Sequence, residues 1–306
     1  MSTSPVSPLV SIVLLTKNGA GTLPALLEAL SRQRAPFPFE IVAVDSGSTD
    51  GTVGLLRSVV DRVVTIAAED FDHGLTRNVG IEHSRGSLIV LLVQDAVPVS
   101  DTWLAELTAP LADPKVAGAF ARQRVRPDAS PITQYYHSRW VAAADAPRAL
   151  AIDAAELEAL EPMQRFLRCA FDNVCSCIRR DVWERHPFRS TPIGEDLEWS
   201  REVLLAGHQL VYVPQAVVVH SHDRSARYEL TRTYVLHRRL YELFQLRTIP
   251  SLSLLARAIA TSTIVHLKTR DGIGRALSLA VAWPLGQYLG GLSAARGWKP
   301  LRSRIV

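Results

Sequence analysis

Five clusters of polar residues have types and spacings that can do chemistry. Asp45-Ser46-Gly47-Ser48-Thr49-Asp50-Gly51 follows the apolar run 40–44. A carboxylate at a strand tip can accept hydrogen bonds from a ribose hydroxyl or a base imide, and small residues after it let a ligand approach the backbone. Ser48 or Asp50 equally suits capping of the next helix, and Asp50 is read that way. Gln94-Asp95-Ala96 follows a second apolar run, 88–93. A lone carboxylate there either takes a divalent cation or forms a turn before Pro98. In Phe71-Asp72-His73-Gly74-Leu75-Thr76-Arg77-Asn78, Arg77 is expected in the first turn of a helix, where anions are favoured and guanidinium binds phosphate bidentately; a surface salt bridge is the plainer reading. Gly194-Glu195-Asp196-Leu197-Glu198-Trp199 puts three acids at a helix start. They complement the helix dipole or supply a general base from Glu195 or Asp196. His220-Ser221-His222 follows a strand, and alternation puts both imidazoles on one face, as metal ligands or as strand-end polar residues.

The elements that must position these clusters alternate in type. Apolar strands are expected at 9–15, 40–44, 62–66 and 88–93, with helices at 22–34, 52–60 and 75–84 between them. Such alternation implies βαβ units and a mainly parallel sheet covered on both faces. Ligands bind such sheets outside the carboxyl ends of the strands, where the polar clusters fall. Further strands are expected at 116–122, 173–178, 210–213 and 216–219, a helix at 194–205, a long basic helix at 226–247, and one or two more over 251–292.

The chain has 306 residues, 47% hydrophobic and 21% charged, which excludes disordered and fibrous classes. Its three cysteines, Cys169, Cys175 and Cys177, are too few and too clustered for a disulfide scaffold; Cys175 and Cys177 read as small core residues. Met1–Pro5 lacks the basic-then-apolar pattern of a signal peptide. Residues 1–223 carry 20 Lys/Arg and 27 Asp/Glu, whereas 224–306 carry 14 and 3, giving −7 against +11. The basic end suits an anionic surface. Ala276–Leu292 is apolar but short for a bilayer and is interrupted by Trp283-Pro284 and Gln287. Its basic flanks, Arg270 and Arg275 before it and Arg296, Lys299, Arg302 and Arg304 after it, suit an in-plane anchor. The same pattern fits a helix packed on the domain or on a second subunit.

In their order and spacing, Ser11–Asn18, Asp45–Thr52, Gln94-Asp95-Ala96 and Gly194-Glu195-Asp196 resemble family 2 glycosyltransferases of the GT-A fold. The resemblance covers about residues 9–225. Phe71–Asn78, together with Gln-Asp-Ala in place of the usual Asp-x-Asp, is most similar to the rhamnosyltransferase branch, which uses dTDP-L-rhamnose. The implied architecture is an α/β Rossmann-like mixed, mainly parallel sheet flanked by helices. A nucleotide-binding half (about 9–100) and an acceptor-binding half (about 101–225) would precede a basic helical extension (226–306). The resemblance implies that Thr16, Asn18, Asp45, Ser46, Arg77, Gln94 and Asp95 contact the nucleotide-sugar. Asp95 with His222 or His220 would hold Mg²⁺ or Mn²⁺. Asp196, with Glu195 beside it, would deprotonate the acceptor hydroxyl for an inverting displacement, and Trp199 and Trp140 would contact the acceptor. Since Gln94 and Ala96 leave one carboxylate, metal binding would lean on a histidine and on the donor's phosphates.

The expected activity is transfer of a sugar to a glycan or polyprenyl-linked glycan in cell-envelope synthesis. The chain would work in the cytoplasm, at the inner face of the membrane or as a homodimer, without nucleic acid. A GT-A scaffold that binds nucleotide-sugar or glycan without turnover is the alternative. A nucleotidyltransferase would need a glycine-rich basic loop after the first strand, and Thr16-Lys17-Asn18-Gly19 is a poor one.

Overall fold

The computed structural model describes residues 9–268 and 273–299. Met1–Pro5 and three arginines of the basic flanks, Arg270, Arg302 and Arg304, lie outside them. In chain order the strands are β1 (Val10–Thr16), β2 (Phe39–Asp45), β3 (Arg62–Thr65), β4 (Leu88–Val93), β5 (Val97–Pro98), β6 (Val116–Arg124), β7 (Arg148–Leu150), β8 (Cys175–Arg179) and β9 (Gln209–Val219). The helices are α1 (Leu23–Ser31), α2 (Thr52–Arg57), α3 (His73–Glu82), α4 (Trp103–Thr108), α5 (Pro131–His137) and α6 (Ala154–Ala159), then α7 (Pro162–Arg168), α8 (Arg180–Arg185), α9 (Glu195–Leu205), α10 (Ala226–Phe244), α11 (Leu252–Lys268) and α12 (Ile273–Ala295).

All nine strands join one mixed sheet, ordered β3-β2-β1-β4-β8-β6-β9-β5, with β7 beside β9. The continuous apolar runs of β1 and β4 are explained by burial on both faces. Alternate residues feed two cores. Ile12 and Leu14 join Leu23, Leu26 and Trp103 on one face; Val13 and Leu15 join Ile81, Phe171 and Val203 on the other. Cys175 and Cys177 are buried free thiols within the first of these cores, and burial raises the proton affinity of both.

Strand directions decide where the polar clusters meet. β1 to β4 run parallel, β8 runs against β4 and β6, and β9 runs with β6. The carboxyl ends of β1, β2, β4, β6 and β9 and the amino end of β8 therefore share one edge. Thr16 pairs with Asp45, and the Val93 N–H donates to Val174 O at 3.1 Å.

One expectation is corrected. The separate strands at 210–213 and 216–219 are one strand, which continues through Pro214 with a register shift opposite Ala121/Arg122. Beyond residue 225, α10 buries Leu240 and Phe244 in the same core as Phe171 and Trp199. The segment Ala276–Leu292 lies in α12, which packs its small residues on α10. A Cβ at Gly290 would fall 2.3 Å from Tyr234 O, and one at Gly286 2.8 Å from Leu230 O. Among the described residues no helix is long and apolar enough to cross a membrane.

Candidate active site

The β2 tip organises the first loop. Asp45 is 1% exposed. One carboxylate oxygen accepts from the Gly47 and Ser48 N–H groups, and the other from the Thr16 and Ser48 hydroxyls. Four donors fill the roughly four lone-pair sites of a carboxylate. Asp45 and Thr16 thus hold the loop, and a nucleotide would reach Asp45 by displacing the Ser48 hydroxyl. Asn18 is exposed in the left-handed region (φ 46°), its side-chain carbonyl accepting from the Thr49 N–H at 2.9 Å. Ser46 is fully buried, contrary to the expectation of a ligand contact. Asp50 accepts from Thr52 and Ala20 N–H groups, a structural role.

Gln94 is likewise a clamp. Its Oε1 accepts from the Lys17 N–H at 2.9 Å and its Nε2 donates to Lys17 O at 3.0 Å, fastening the β4 end to the loop after β1. The amide therefore faces the backbone rather than a donor.

The Phe71–Asn78 motif docks a loop. The helix begins at His73, so Arg77 lies in its second turn, and the helix amino end is capped by Asp72, which accepts from the Gly74 and Leu75 N–H groups. Asp72 also accepts from Ser190 and Thr191, and Asn78 donates to Phe188 O. A Cβ on Gly74 would lie 2.1 Å from Arg189 O, so only glycine fits. Arg77 is buried, with Nε 3.1 Å from Glu195 and NH2 donating to Asn173 O at 3.3 Å. The guanidinium thus anchors the start of α9 through two of its nitrogens, and the third has no hydrogen-bond partner among the described residues.

That anchoring separates Glu195 from Asp196. Burial pushes the Glu195 carboxyl up, but the charges of Arg77 and His73 bring it net below its usual range, and the carboxylate pairs with Arg77. Burial and the neighbouring charges of Glu195 and Asp172 push the Asp196 carboxyl well above the ordinary carboxylate range. Its Oδ2 accepts from the Asn173 N–H at 3.3 Å. A carboxylate with raised proton affinity suits general-base work. Trp199, expected at the acceptor, is instead a core residue between Phe171 and Phe188, its indole donating to His186 O. Trp140 is 37% exposed and donates to Asp172 Oδ2 at 2.9 Å.

At the same edge Asp95, His220 and His222 converge, their ligand atoms within 4.8 Å of one another. His222 Nε2 is 3.2 Å and His220 Nε2 3.7 Å from the Asp95 oxygens. Burial holds both imidazoles below their ordinary proton affinity, His222 at about 4. His220 Nδ1 meets Gln123 Oε1 at 3.1 Å, and Gln123 Nε2 donates to Asp172 Oδ2 at 2.7 Å. The amide carbonyl can only accept, so a hydrogen bond here requires the hydrogen on His220 Nδ1, which turns the Nε2 lone pair toward Asp95. A lone pair facing a carboxylate is repulsive unless a proton or a metal cation lies between. This donor set of one carboxylate oxygen and two imidazoles fits a transition-metal dication such as Mn²⁺, with phosphate oxygens completing its shell, better than the all-oxygen preference of Mg²⁺. Asp172 and Gln123 escaped the sequence reading because nothing but their position at strand ends marks them.

The mixed sheet, flanked by helices and with a carboxylate–histidine cluster at its carboxyl edge, has the GT-A fold. Residues 11–151 match the model "Glycosyl transferase family 2". The O-antigen chain rhamnosyltransferase RfbN of Salmonella typhimurium is 28% identical over 74% of this chain and 70% of its own length. WbaN of Salmonella anatum, also an O-antigen chain rhamnosyltransferase, is 27% identical over 64% of this chain, which spans 61% of that relative. Among solved structures, a Pyrobaculum calidifontis mannosyltransferase in complex with GDP-Man and Mn²⁺ matches 97% of this chain and 77% of its own (TM-score 0.55, 20% identity). Glucosyl-3-phosphoglycerate synthase of Mycobacterium tuberculosis, with Mn²⁺ and UDP, matches 78% and 81% (TM-score 0.55, 16% identity).

Proposed function

We propose that the protein is an inverting, divalent-metal-dependent glycosyltransferase that moves L-rhamnose from dTDP-rhamnose to a hydroxyl of a glycan or polyprenyl-linked glycan. One observation carries the reading: Asp196, oriented by the Asn173 N–H, shares a sheet edge with the Asp95–His220–His222 cluster. Asp95, His220 and His222 would hold the metal, which when bound neutralises charge on the leaving diphosphate. Asp196 takes the acceptor proton as the hydroxyl attacks the anomeric carbon from the face opposite the leaving group, inverting that centre. Asn173 orients the Asp196 carboxyl, and the buried Arg77–Glu195 pair fixes the helix that carries it. Trp140, exposed beside Asp172, offers a flat face to an acceptor sugar. The rhamnosyltransferase relatives support the donor choice. Purified protein incubated with Mn²⁺ and dTDP-, UDP- or GDP-sugars tests it: dTDP-rhamnose should raise the melting temperature most and release dTDP when acceptor is added. Preference for a UDP- or GDP-sugar would overturn the donor assignment.

A membrane-facing site of action has its own support. Ile264 and Leu267 on α11 and Ile273, Leu277 and Val281 on α12 are 42–70% exposed. The exposed Arg257, Lys268 and Arg275 accompany them, and no acidic residue lies in 252–268 or 273–299. A second copy docked there would oppose like charges, whereas an anionic bilayer complements them. The protein should float with phosphatidylglycerol vesicles at low salt and not with phosphatidylcholine. Indifference to lipid charge, or a dimer in solution that buries these residues, would refute this placement.

A further inference from the structure

Gln123 stands at the carboxyl end of β6, 5% exposed, with both ends of its amide engaged. The carboxylate it donates to, Asp172, is held in turn: Oδ2 accepts from the Trp140 indole at 2.9 Å, and Oδ1 accepts from the Val174 N–H at 2.8 Å. A carboxylate cannot donate, so the amide NH2 must face Asp172 and its carbonyl must face His220. The orientation of Gln123, and through it the hydrogen position on His220, is therefore set by a residue of the β8 entry, on the opposite side of the amide from the Asp95 cluster. The His220 backbone N–H also donates to Arg124 O at 2.8 Å, so the residue is carried on the β6–β9 ladder.

We infer that Gln123, backed by Asp172, is a positioning residue that holds His220 in the Nδ1–H tautomer, so that Nε2 is the ligand atom offered to a divalent cation beside Asp95. This inference rests on the metal-dependent reading above. The physical ground is general: the partner of one ring nitrogen decides which nitrogen is free to ligate, and loss of such a partner weakens metal binding by about 10–100-fold. The outer ring around the cluster is here a neutral amide, and the carboxylate one step further out keeps that amide from turning over. Full negative charge thus stays off the imidazole itself.

The test reads Mn²⁺ affinity and tautomer, not turnover. Mn²⁺ binding in the presence of dTDP is measured by the loss of the free-ion electron paramagnetic resonance signal, and the His220 ring by long-range ¹H–¹⁵N NMR on metal-free protein. Wild type should show Nδ1–H. Gln123→Leu, close in volume, should populate Nε2–H and weaken Mn²⁺ by about 10–100-fold. The exchanged pair Q123E/D172N keeps an acceptor toward His220 and a donor between the two side chains, while the NH2 it places at position 172 gives up the bond from the Trp140 indole. It should return to within about threefold of wild type and restore the Nδ1–H signature, which a merely structural role would not do. A wild-type Nε2–H tautomer, or Mn²⁺ affinity of Gln123→Leu equal to wild type, overturns the inference. If wild type binds no Mn²⁺ at all, the metal reading fails, while the NMR signature still decides the tautomer.

Discussion

Replacing Arg77 with Met separates two roles for this guanidinium. Its side chain is 4% exposed and that of its partner Glu195 is 6% exposed, with 3.1 Å between them. At an effective dielectric of ~20, Coulomb's law gives about 5 kcal/mol of attraction at this spacing. Removing one partner of a buried pair leaves the other charge uncompensated, at a cost of about 3–5 kcal/mol. Arg77→Met should therefore lower unfolding free energy by roughly that amount, a large part of the ~5–15 kcal/mol typical of a domain. Part of the loss comes from the bond to Asn173 O, which sits beside the N–H that orients Asp196. R77M/E195L, which removes both charges, should be more stable than R77M alone, because no buried charge is left over. Urea unfolding followed by tryptophan fluorescence measures all three proteins. A donor contact would behave differently: KM for the nucleotide-sugar would rise steeply with stability untouched. A loss below about 1 kcal/mol for Arg77→Met together with that KM change would refute the buried-anchor role.

Other consequences follow from the same geometry. Asp196 must be ionised to act, and its proton affinity is raised, so kcat/KM should climb with pH through a limb above the ordinary Asp range of about 4. Glu195→Gln removes a neighbouring negative charge and should move that limb to lower pH. Because burial keeps His222 at about 4, Mn²⁺ affinity should be nearly flat from pH 6 to 8 and fall only toward pH 4, measured by calorimetry. Gly290→Ala should destabilise by about 1–3 kcal/mol, since its Cβ meets the Tyr234 carbonyl oxygen and backbone must move. Burial pushes the Glu40 carboxyl up, but the Ser11 hydroxyl and the Arg85 guanidinium pull it net below its ordinary value of 4.5. Its contribution is thus present above that value and lost as pH falls through the lower folded one. Glu40→Gln should flatten acid unfolding and cost about 1–3 kcal/mol at neutral pH.

Much of the scaffold is readable from the residues because burial on both faces leaves a plain mark. β1, β2 and β4 stand out as apolar runs ended by polar clusters, and α9 as an acidic start closed by Gly207. β7 does not, since three residues with Arg148 at one end carry no period. The single β9 was divided at Pro214, which breaks a ladder in most strands but here sits at a register shift. The site divides in the same way. Asp95, Asp196, His220 and His222 are polar residues just beyond strands or at a helix start, where position alone suggests chemistry. Arg77 reads as a phosphate contact because its partner Glu195 lies more than 100 residues away, and the partners of Asn78 and Gly74, Phe188 and Arg189, are as distant. Trp199 lies one turn after Glu195, but that turn faces the core. Gln123 and Asp172 gain meaning only when β6, β8 and β9 are brought side by side.

The most direct test of the account is Asp196→Asn. The amide oxygen can still accept from the Asn173 N–H, and the Asp95–His220–His222 cluster is untouched. Calorimetry with Mn²⁺ and dTDP-rhamnose, paired with a transfer assay, should show donor affinity within about twofold of wild type and turnover reduced by about 10²–10⁴-fold. Transfer at the wild-type rate would contradict the assignment of the base.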